Sequence, residues 1–255
     1  MSTPVTPEIN TSDSGQPALS EIERLVNVFS APTKTFVDIK RNASWWAPFL
    51  IMALLSTTFV WVVGQKITWE QVVENQFSAM SDKQKERVAQ ASPEQQAQQR
   101  KGMLIGFKYF SYAAPVFVLI FVAIIAALNM ATMNFGFGAE ISYKQALAVS
   151  WYAGVPRALF SILAIIMTYA IKDPTSFNMQ NPVVTNLAIL TTQSQHPALY
   201  SALSFIDIFA VWSCYLTGVG LATVAGKKTS TGLTVTFGWY IAAMCVAAGF
   251  KFLTA

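Results

Sequence analysis

A run of 31 consecutive residues without a charged side chain, between Lys108 and Glu140, constrains this chain more than any other feature. About 20 apolar residues are enough to cross the hydrocarbon core of a bilayer, and a buried helix of a soluble protein is usually shorter. Charged residues make up only 12% of the 255 residues, whereas soluble domains carry about 25%. The sequence therefore excludes a soluble enzyme and predicts an integral membrane protein.

Five apolar stretches are each long enough to span a bilayer. They cover about 47–64, 109–134, 146–171, 199–225 and 233–253. Only helices and closed barrels satisfy the backbone hydrogen bonds of a lipid-exposed segment, and no alternation typical of a barrel is visible. The predicted fold class is therefore all-α, a polytopic membrane protein with a bundle of five transmembrane helices. Pro156 lies well inside the third stretch and predicts a helix kink there.

The N-terminal region divides into two parts. Residues 1–19 are rich in Ser, Thr and Pro and predict a disordered tail. Residues 20–46 predict two short amphipathic helices in the plane of the membrane interface, followed by Trp45 and Trp46 as interface anchors. The apolar face of the first helix consists of Ile22, Leu25, Val26 and Phe29. The alternative is a small soluble cap packed on the loops.

The polar loop at 65–108 predicts two or three short helices, because Ser/Thr-x-x-Gln start signals occur at Thr68, Ser81 and Ser92. The charges give conflicting indications of orientation. Lys and Arg number four between Arg24 and Arg41 but seven in this first loop. The N-terminal flank and the short loops, which include Lys227 and Lys228, favour a cytoplasmic N-terminus.

No constellation of reactive groups is visible. The chain has one histidine, His196, and two cysteines, Cys214 and Cys245, and both cysteines lie in apolar stretches. A zinc site needs three or four ligands at suitable spacing, which these residues do not provide. We therefore expect no catalytic residues, no metal and no cofactor.

Two charged residues fall within predicted spans. Arg157 and Asp207 are on neighbouring spans, and each costs about 2.5–3.5 kcal/mol at a helix centre on insertion scales. One interpretation is a buried structural ion pair that joins two helices. The other is an ion or proton relay. A single pair without further carboxylates makes a poor pathway, so the structural pair is favoured.

Small residues recur four positions apart on the last two spans. They are Gly218, Ala222 and Gly226 on the fourth and Gly238 and Ala242 on the fifth. Such spacing lets helix backbones approach closely. It indicates either packing within the bundle or a dimerisation surface, and packing within the bundle is favoured.

Two regions resemble a known family. They are RLVNVFSAPTKTF at 24–36 with WWAPFL at 45–50, and YKQALAVSWYAGVP at 143–156. In these motifs and their order the chain resembles the bacterial branch of the Yip family, the Ypt-interacting proteins. The resemblance implies a multi-pass protein of the bacterial inner membrane with a cytoplasmic N-terminus and a periplasmic C-terminus. Eukaryotic relatives associate with Rab-type GTPases, but their Asp-Leu-Tyr-Gly-Pro motif is missing here, so that partner is not carried over.

Two functions remain open at this point. The first is a non-enzymatic scaffold or accessory protein that binds other membrane proteins, such as a transport complex, in the lipid bilayer, with homo-oligomerisation as a further expectation. The second is a small transporter or channel-like protein that uses Arg157 and Asp207. An odd number of spans and the lack of an inverted repeat speak against the second function. Nothing in the sequence indicates nucleic-acid binding.

Overall fold

The structure is a computed structural model that describes residues 17–254, so the predicted tail at 1–19 lies almost entirely outside the described residues. Twelve α-helices, one π-helical turn and two 3₁₀ turns make up the regular structure of these residues. The α-helices are α1 (Glu21–Ser30), α2 (Pro32–Arg41), α3 (Trp46–Lys66), α4 (Trp69–Ser78), α5 (Asp82–Ala89), α6 (Pro93–Tyr112), α7 (Ala114–Ala131), α8 (Tyr143–Ala153), α9 (Pro156–Ala170), α10 (Pro197–Phe205), α11 (Ile208–Ala225) and α12 (Thr229–Thr254). The π-helical turn is Thr132–Gly136, and the 3₁₀ turns are Pro174–Ser176 and Leu187–Leu190.

Local sequence signals determine where several helices begin. Four helices start at capping boxes, in which a serine hydroxyl accepts a hydrogen bond from the third helical N–H and the Glu or Gln at that position bonds back. The serines are Ser20, Ser81, Ser92 and Ser142. The start signals in the polar loop are therefore confirmed, and that loop folds into α4, α5 and the polar first half of α6.

The all-α polytopic fold class is confirmed. Four helices, α3, α7 with its π-helical extension, α11 and α12, are long and apolar enough to cross a bilayer. Taken together, α8 and α9 are also long and apolar enough to cross a bilayer. The pair is bent by 40° at its break, where Pro156 begins α9. A straight helix would require a backbone hydrogen bond donated by the N–H of this residue. Because proline has no N–H, the chain bends here. Counting the bent pair as one span gives five.

The fourth predicted span is not one continuous helix. It divides at Ile206 and Asp207 into α10 and α11. The polar groups released by the break are satisfied by a neighbouring segment, since Leu187 N–H donates to the Ile206 carbonyl at 3.2 Å and Ile208 N–H donates to the Thr185 carbonyl at 3.2 Å. A broken helix is tolerated at membrane depth only where the protein itself supplies such partners.

The chain crosses the bundle so that its polar segments collect at two opposite ends. We call one end the N-terminal face (17–45, 137–145 and 226–228) and the other the loop face (67–92 and 171–196). On the N-terminal face, Gln145 Nε2 donates to the Lys40 carbonyl at 3.1 Å. On the loop face, Asn75 Nδ2 donates to the carbonyls of Pro174 and Phe177, both at 2.8 Å.

Helix α11 lies at the centre of the main core. Ten of its 18 residues are buried, and it packs against α2, α8, α9 and α12. Gly220 lets α2 and α8 approach, because a Cβ at this position would lie 2.6 Å from Val149 Cγ1 and 2.9 Å from the Phe36 ring. The N-terminal helices are therefore packed into the main hydrophobic core, where Val28, Phe36 and Ile39 are almost completely buried.

Candidate functional site

An ion pair is buried between the first two helices. Arg24 of α1 and Asp38 of α2 are 1% and 2% exposed, and the Arg24 Nη2 and Nε atoms lie 2.6 and 2.7 Å from Asp38 Oδ2. The pair occupies a site where α1 and α2 face α8 and the core of the bundle. Burial makes such a pair sensitive to the loss of either partner, because the remaining charge would then have no counter-charge.

Further hydrogen bonds surround this ion pair. Arg41 Nη2 donates to Asp38 Oδ1 at 2.7 Å, and the Leu19 backbone N–H donates to the same oxygen at 3.3 Å. The Thr35 hydroxyl donates to the Arg24 carbonyl at 3.0 Å and is completely buried. These bonds hold α1 and α2 in one fixed arrangement.

The same site connects the N-terminal helices to α8. The Tyr152 hydroxyl donates to Glu21 Oε2, and Glu21 Oε1 lies 3.6 Å from Arg24 Nη1. The Arg24 guanidinium lies 6.0 Å from the centre of the Tyr152 ring. We call Glu21, Arg24, Asp38 and Tyr152 the ionic clasp, because together they link α1, α2 and α8.

Both charges of the central pair persist at neutral pH. Burial alone would raise the pKa of the Asp38 carboxyl, but the hydrogen bonds from Arg24 and Arg41 outweigh it and hold that pKa below its ordinary value. Burial likewise opposes the charge on Arg24, and the hydrogen bonds to Asp38 and Tyr152 raise the pKa of the guanidinium. Arg24 and Asp38 therefore form a fixed charge pair at neutral pH.

The opposite side of α1 carries an exposed apolar surface. Ile22, Val26 and Phe29 are 74%, 59% and 40% exposed, and they follow one another at helical spacing. We call these three residues the outer row of α1. The Phe29 ring also packs edge-on against Trp212 at 5.6 Å, so the row is continuous with the side of α11. The clasp fixes the orientation in which α1 presents this row.

Sequence reasoning missed the clasp, although a signal was present. Asp38 lies between Phe36 and Ile39 on the buried face of α2, and a carboxylate inside an apolar face needs a counter-charge. Arg24 was counted only as an orientation charge. The partner could not be identified because the two residues are 14 positions apart on different helices and meet only when α1 folds back onto α2.

Arg157 and Asp207 do not form an ion pair in the described part of the chain. Asp207 is instead the N-cap of α11, where its Oδ1 accepts from the N–H groups of Phe209 at 3.0 Å and Ala210 at 2.9 Å. The Thr185 hydroxyl donates to its other oxygen. Arg157 is exposed in the first turn of α9. The carboxylate thus stabilises the break in the fourth span and has its hydrogen-bonding positions occupied by neutral donors.

The small residues of the last two spans lie in different environments. Gly218 and Ala222 face α12, where a Cβ on Gly232 would collide with the Gly218 carbonyl oxygen and approach the Ala222 side chain. Gly226 ends α11 with a φ of 62°, a left-handed conformation that favours glycine. Gly238 and Ala242 are exposed on the outside of α12. Only the first part of the stripe therefore packs inside the bundle.

The two interface tryptophans lie where the N-terminal face joins α3. Trp45 and Trp46 stack on each other with their ring centres 4.3 Å apart. Trp45 also stacks on the buried Trp151 of α8 at 6.4 Å, whereas Trp46 is exposed. We call these three residues the tryptophan cluster, and it packs the start of the first span against the bent third span.

Among the described residues, no group of three or more His, Cys, Asp and Glu side chains could hold a metal ion. The strongest cluster of charges, the clasp, has its carboxylates bound to arginine and tyrosine.

Several apolar helices and two polar ends define the class: this is a multi-pass α-helical membrane protein. The Yip1 domain model matches residues 26–250, which is most of the chain, and the protein therefore belongs to the Yip family. The resemblance to the Yip family seen at 24–36, 45–50 and 143–156 is confirmed. Comparisons with curated proteins and with solved structures gave no match.

Proposed function

We propose that this protein is a non-enzymatic scaffold of the bacterial inner membrane, which binds another membrane protein through the outer row of α1. The observation that carries the proposal is the pairing of an exposed apolar row with a buried clasp on the opposite side of the same short helix. Partners recognise amphipathic helices through such apolar positions one turn apart. A rigidly held helix loses little conformational entropy when a partner binds.

The surroundings of the row support a partner on the N-terminal face, which we place in the cytoplasm. Basic side chains are exposed on this face, and they add electrostatic attraction for an acidic partner surface. These are Lys34, Lys40, Arg41, Lys144, Lys227 and Lys228. An apolar row on a face that also exposes basic side chains fits the amphipathic groove of a protein that lies beside the membrane.

The test is purification in mild detergent, with bound proteins quantified for matched variants. The double variant Ile22→Gln and Val26→Gln removes the two most exposed side chains of the row but keeps good helix-forming residues. Thr33→Gln, an exposed position of α2 outside the row, is the control. A partner that co-purifies with the parent and with the control but falls at least tenfold with the double variant supports the proposal.

Equal partner recovery from all three proteins contradicts the proposal. So does a double variant that keeps its partners but loses only its association with anionic vesicles. In that case the row contacts lipid at the interface, as the sequence pattern first predicted for these helices.

A small transporter is the second candidate, because the break at Asp207 gives the fourth span the form of a discontinuous helix. Asp207→Asn retains an oxygen that can cap α11, whereas Asp207→Leu does not. If Asp207 is only a cap, the Asp207→Asn protein accumulates like the parent, and the Asp207→Leu protein loses about 1 kcal/mol of stability. A substrate-uptake or growth phenotype that Asn abolishes at normal protein level would instead assign the carboxylate a transport role.

A further inference from the structure

A cavity of about 180 Å³ lies inside the membrane-spanning part of the bundle, between α3, α7 and α9. Its α3 wall extends from Phe49 to Phe59, which is roughly 15 Å at about 1.5 Å per residue. That length is about half the hydrocarbon thickness of a bilayer, or one leaflet. The cavity starts beside the tryptophan cluster of the N-terminal face, and Pro182, from the segment 171–196 of the loop face, lines it as well.

The walls of the cavity are almost entirely apolar. The α7 and α9 sides contribute Pro115, Val118, Phe160 and Ala164. The hydroxyl of Ser161, which also lines it, donates to the Arg157 carbonyl at 3.1 Å. Apolar cavities of about 150 Å³ stay dry and take up apolar guests. Water is therefore a poor occupant of this space.

Trp151 adds a polar group to this lining, beside the hydroxyls of Ser56 and Ser161. It lines the cavity, is 3% exposed, and its indole Nε1–H has no hydrogen-bond partner among the described residues. Indole is a donor only, and a buried donor without an acceptor destabilises a protein. Stacking on Trp45 at 6.4 Å and an edge contact with Phe49 at 5.2 Å hold the ring in place. An occupant that brings an acceptor to this ring would satisfy the donor.

Trp151 also lies at a defined level of the membrane. Its neighbours Trp45 and Trp46 form an aromatic belt of the kind that marks the headgroup boundary. An acceptor at this level, continued by a hydrocarbon chain toward the bilayer centre, is the arrangement of an acyl ester. A partner helix is about 10 Å across, so it does not fit a cavity of this volume.

We propose that the cavity binds the upper part of one acyl chain of a glycerolipid from the leaflet of the N-terminal face, with the ester carbonyl accepting a hydrogen bond from Trp151 Nε1. Apolar contacts to α3, α7 and α9 bind the chain, and the indole N–H selects an ester over an ether. The bound lipid fills the space between the first and third spans and stabilises the bend beside Pro156.

The experiment measures lipid bound to detergent-purified protein by native mass spectrometry, with a diacyl phosphatidylcholine and its dialkyl ether analogue titrated separately. Ala53→Leu places a larger side chain on the α3 wall and fills the cavity. Trp151→Phe keeps an aromatic ring and removes the N–H. Trp61→Phe, an exposed residue of α3 that is not part of the cavity wall, is the matched control.

The parent and Trp61→Phe should bind one diacyl lipid about fivefold to tenfold more tightly than the ether lipid, the effect of one neutral hydrogen bond. Trp151→Phe should bind both lipids equally weakly, and Ala53→Leu should lose the tight site at least tenfold. An ester preference that survives in Trp151→Phe overturns the role of the indole. Tight binding that survives in Ala53→Leu, or no retained lipid in the parent, overturns the site.

Discussion

The two polar ends of this bundle each contain an arginine–carboxylate pair, but the pairs differ in burial. On the N-terminal face, Arg24 and Asp38 are almost completely buried and belong to the main core. On the loop face, Glu74 forms an ion pair with Arg100 of the adjoining polar half of α6, and the two side chains are 54% and 48% exposed. Exposed pairs contribute little to stability, whereas a buried pair cannot lose one member without a large cost. The same kind of ion pair thus holds the N-terminal helices in the core at one end but stabilises the other end only weakly.

The helices at the two ends show the same contrast. α2 buries Thr35, Phe36, Asp38 and Ile39 against the bundle. α5 and α6 on the other side bury no residue completely. α4 contributes Trp69 and Val72 to a smaller second core, and Leu104 and Phe107 of α6 pack against it while only partly buried. Buried contacts determine how often a segment opens locally. The N-terminal helices should therefore open rarely and the α5 region often.

The largest expected effect concerns which end of the bundle faces the cytoplasm, because labelling of a cysteine at either end is all-or-none. Cysteines placed at Ser92, which precedes α6, and at Ser230, in the first turn of α12, lie at opposite ends of the bundle. With a cytoplasmic N-terminus, a membrane-impermeant thiol reagent should label the Ser92→Cys protein in intact cells but not the Ser230→Cys protein. The unsubstituted protein is the control, since Cys214 and Cys245 lie within spans. The reverse pattern would exclude the proposed topology.

The next effect is the loss of one charge from the clasp. Asp38→Ala leaves the Arg24 guanidinium buried without its main partner and should cost about 3–5 kcal/mol. We expect much lower accumulation in the membrane and an earlier thermal unfolding transition in detergent. Replacing both residues, as Arg24→Met with Asp38→Leu, should recover part of the loss because no lone charge remains. If the single and double variants behave alike, the pair is not the unit that holds α1 to α2.

The smallest effect should come from the exposed pair of the loop face. Glu74→Gln removes one charge, and we expect a change of about 0.2–1 kcal/mol in the same thermal unfolding assay. Raising the salt concentration should shrink even this difference, because exposed charges are screened. A loss as large as that of Asp38→Ala would show that burial does not account for the difference between the two ends.

Much of the fold follows from local signals. The first and last predicted spans, 47–64 and 233–253, agree with α3 and α12 to within a few residues, because hydropathy over some 20 residues reports membrane burial directly. Capping signals likewise predicted where α1, α5 and α6 begin. The break of the fourth span was not predictable in the same way. It depends on contacts such as the hydrogen bond from the Thr185 hydroxyl to Asp207, two residues from separate segments, and hydropathy does not record such contacts.

The candidate site was less predictable than the fold. The sequence drew attention to Arg157 and Asp207 because charges in apolar stretches are conspicuous, whereas Arg24 and Asp38 lie in a polar region where charges are common. Burial of the second pair arises when α1 and α2 pack against α8 and α11. The contact of Phe36 with Gly220, for example, joins residues 184 positions apart. Tertiary packing of this kind leaves no local pattern.

The central claim is that the N-terminal helices are an integral part of the bundle. Hydrogen–deuterium exchange of the purified protein in detergent tests it most directly, with peptides from α1 and α2 compared with peptides from α5 at the same time points. Our account predicts that α1 and α2 exchange as slowly as α8, and that α5 exchanges at least tenfold faster. Exchange of α1 and α2 at the rate of α5, in a sample whose α8 and α11 stay protected, would contradict it.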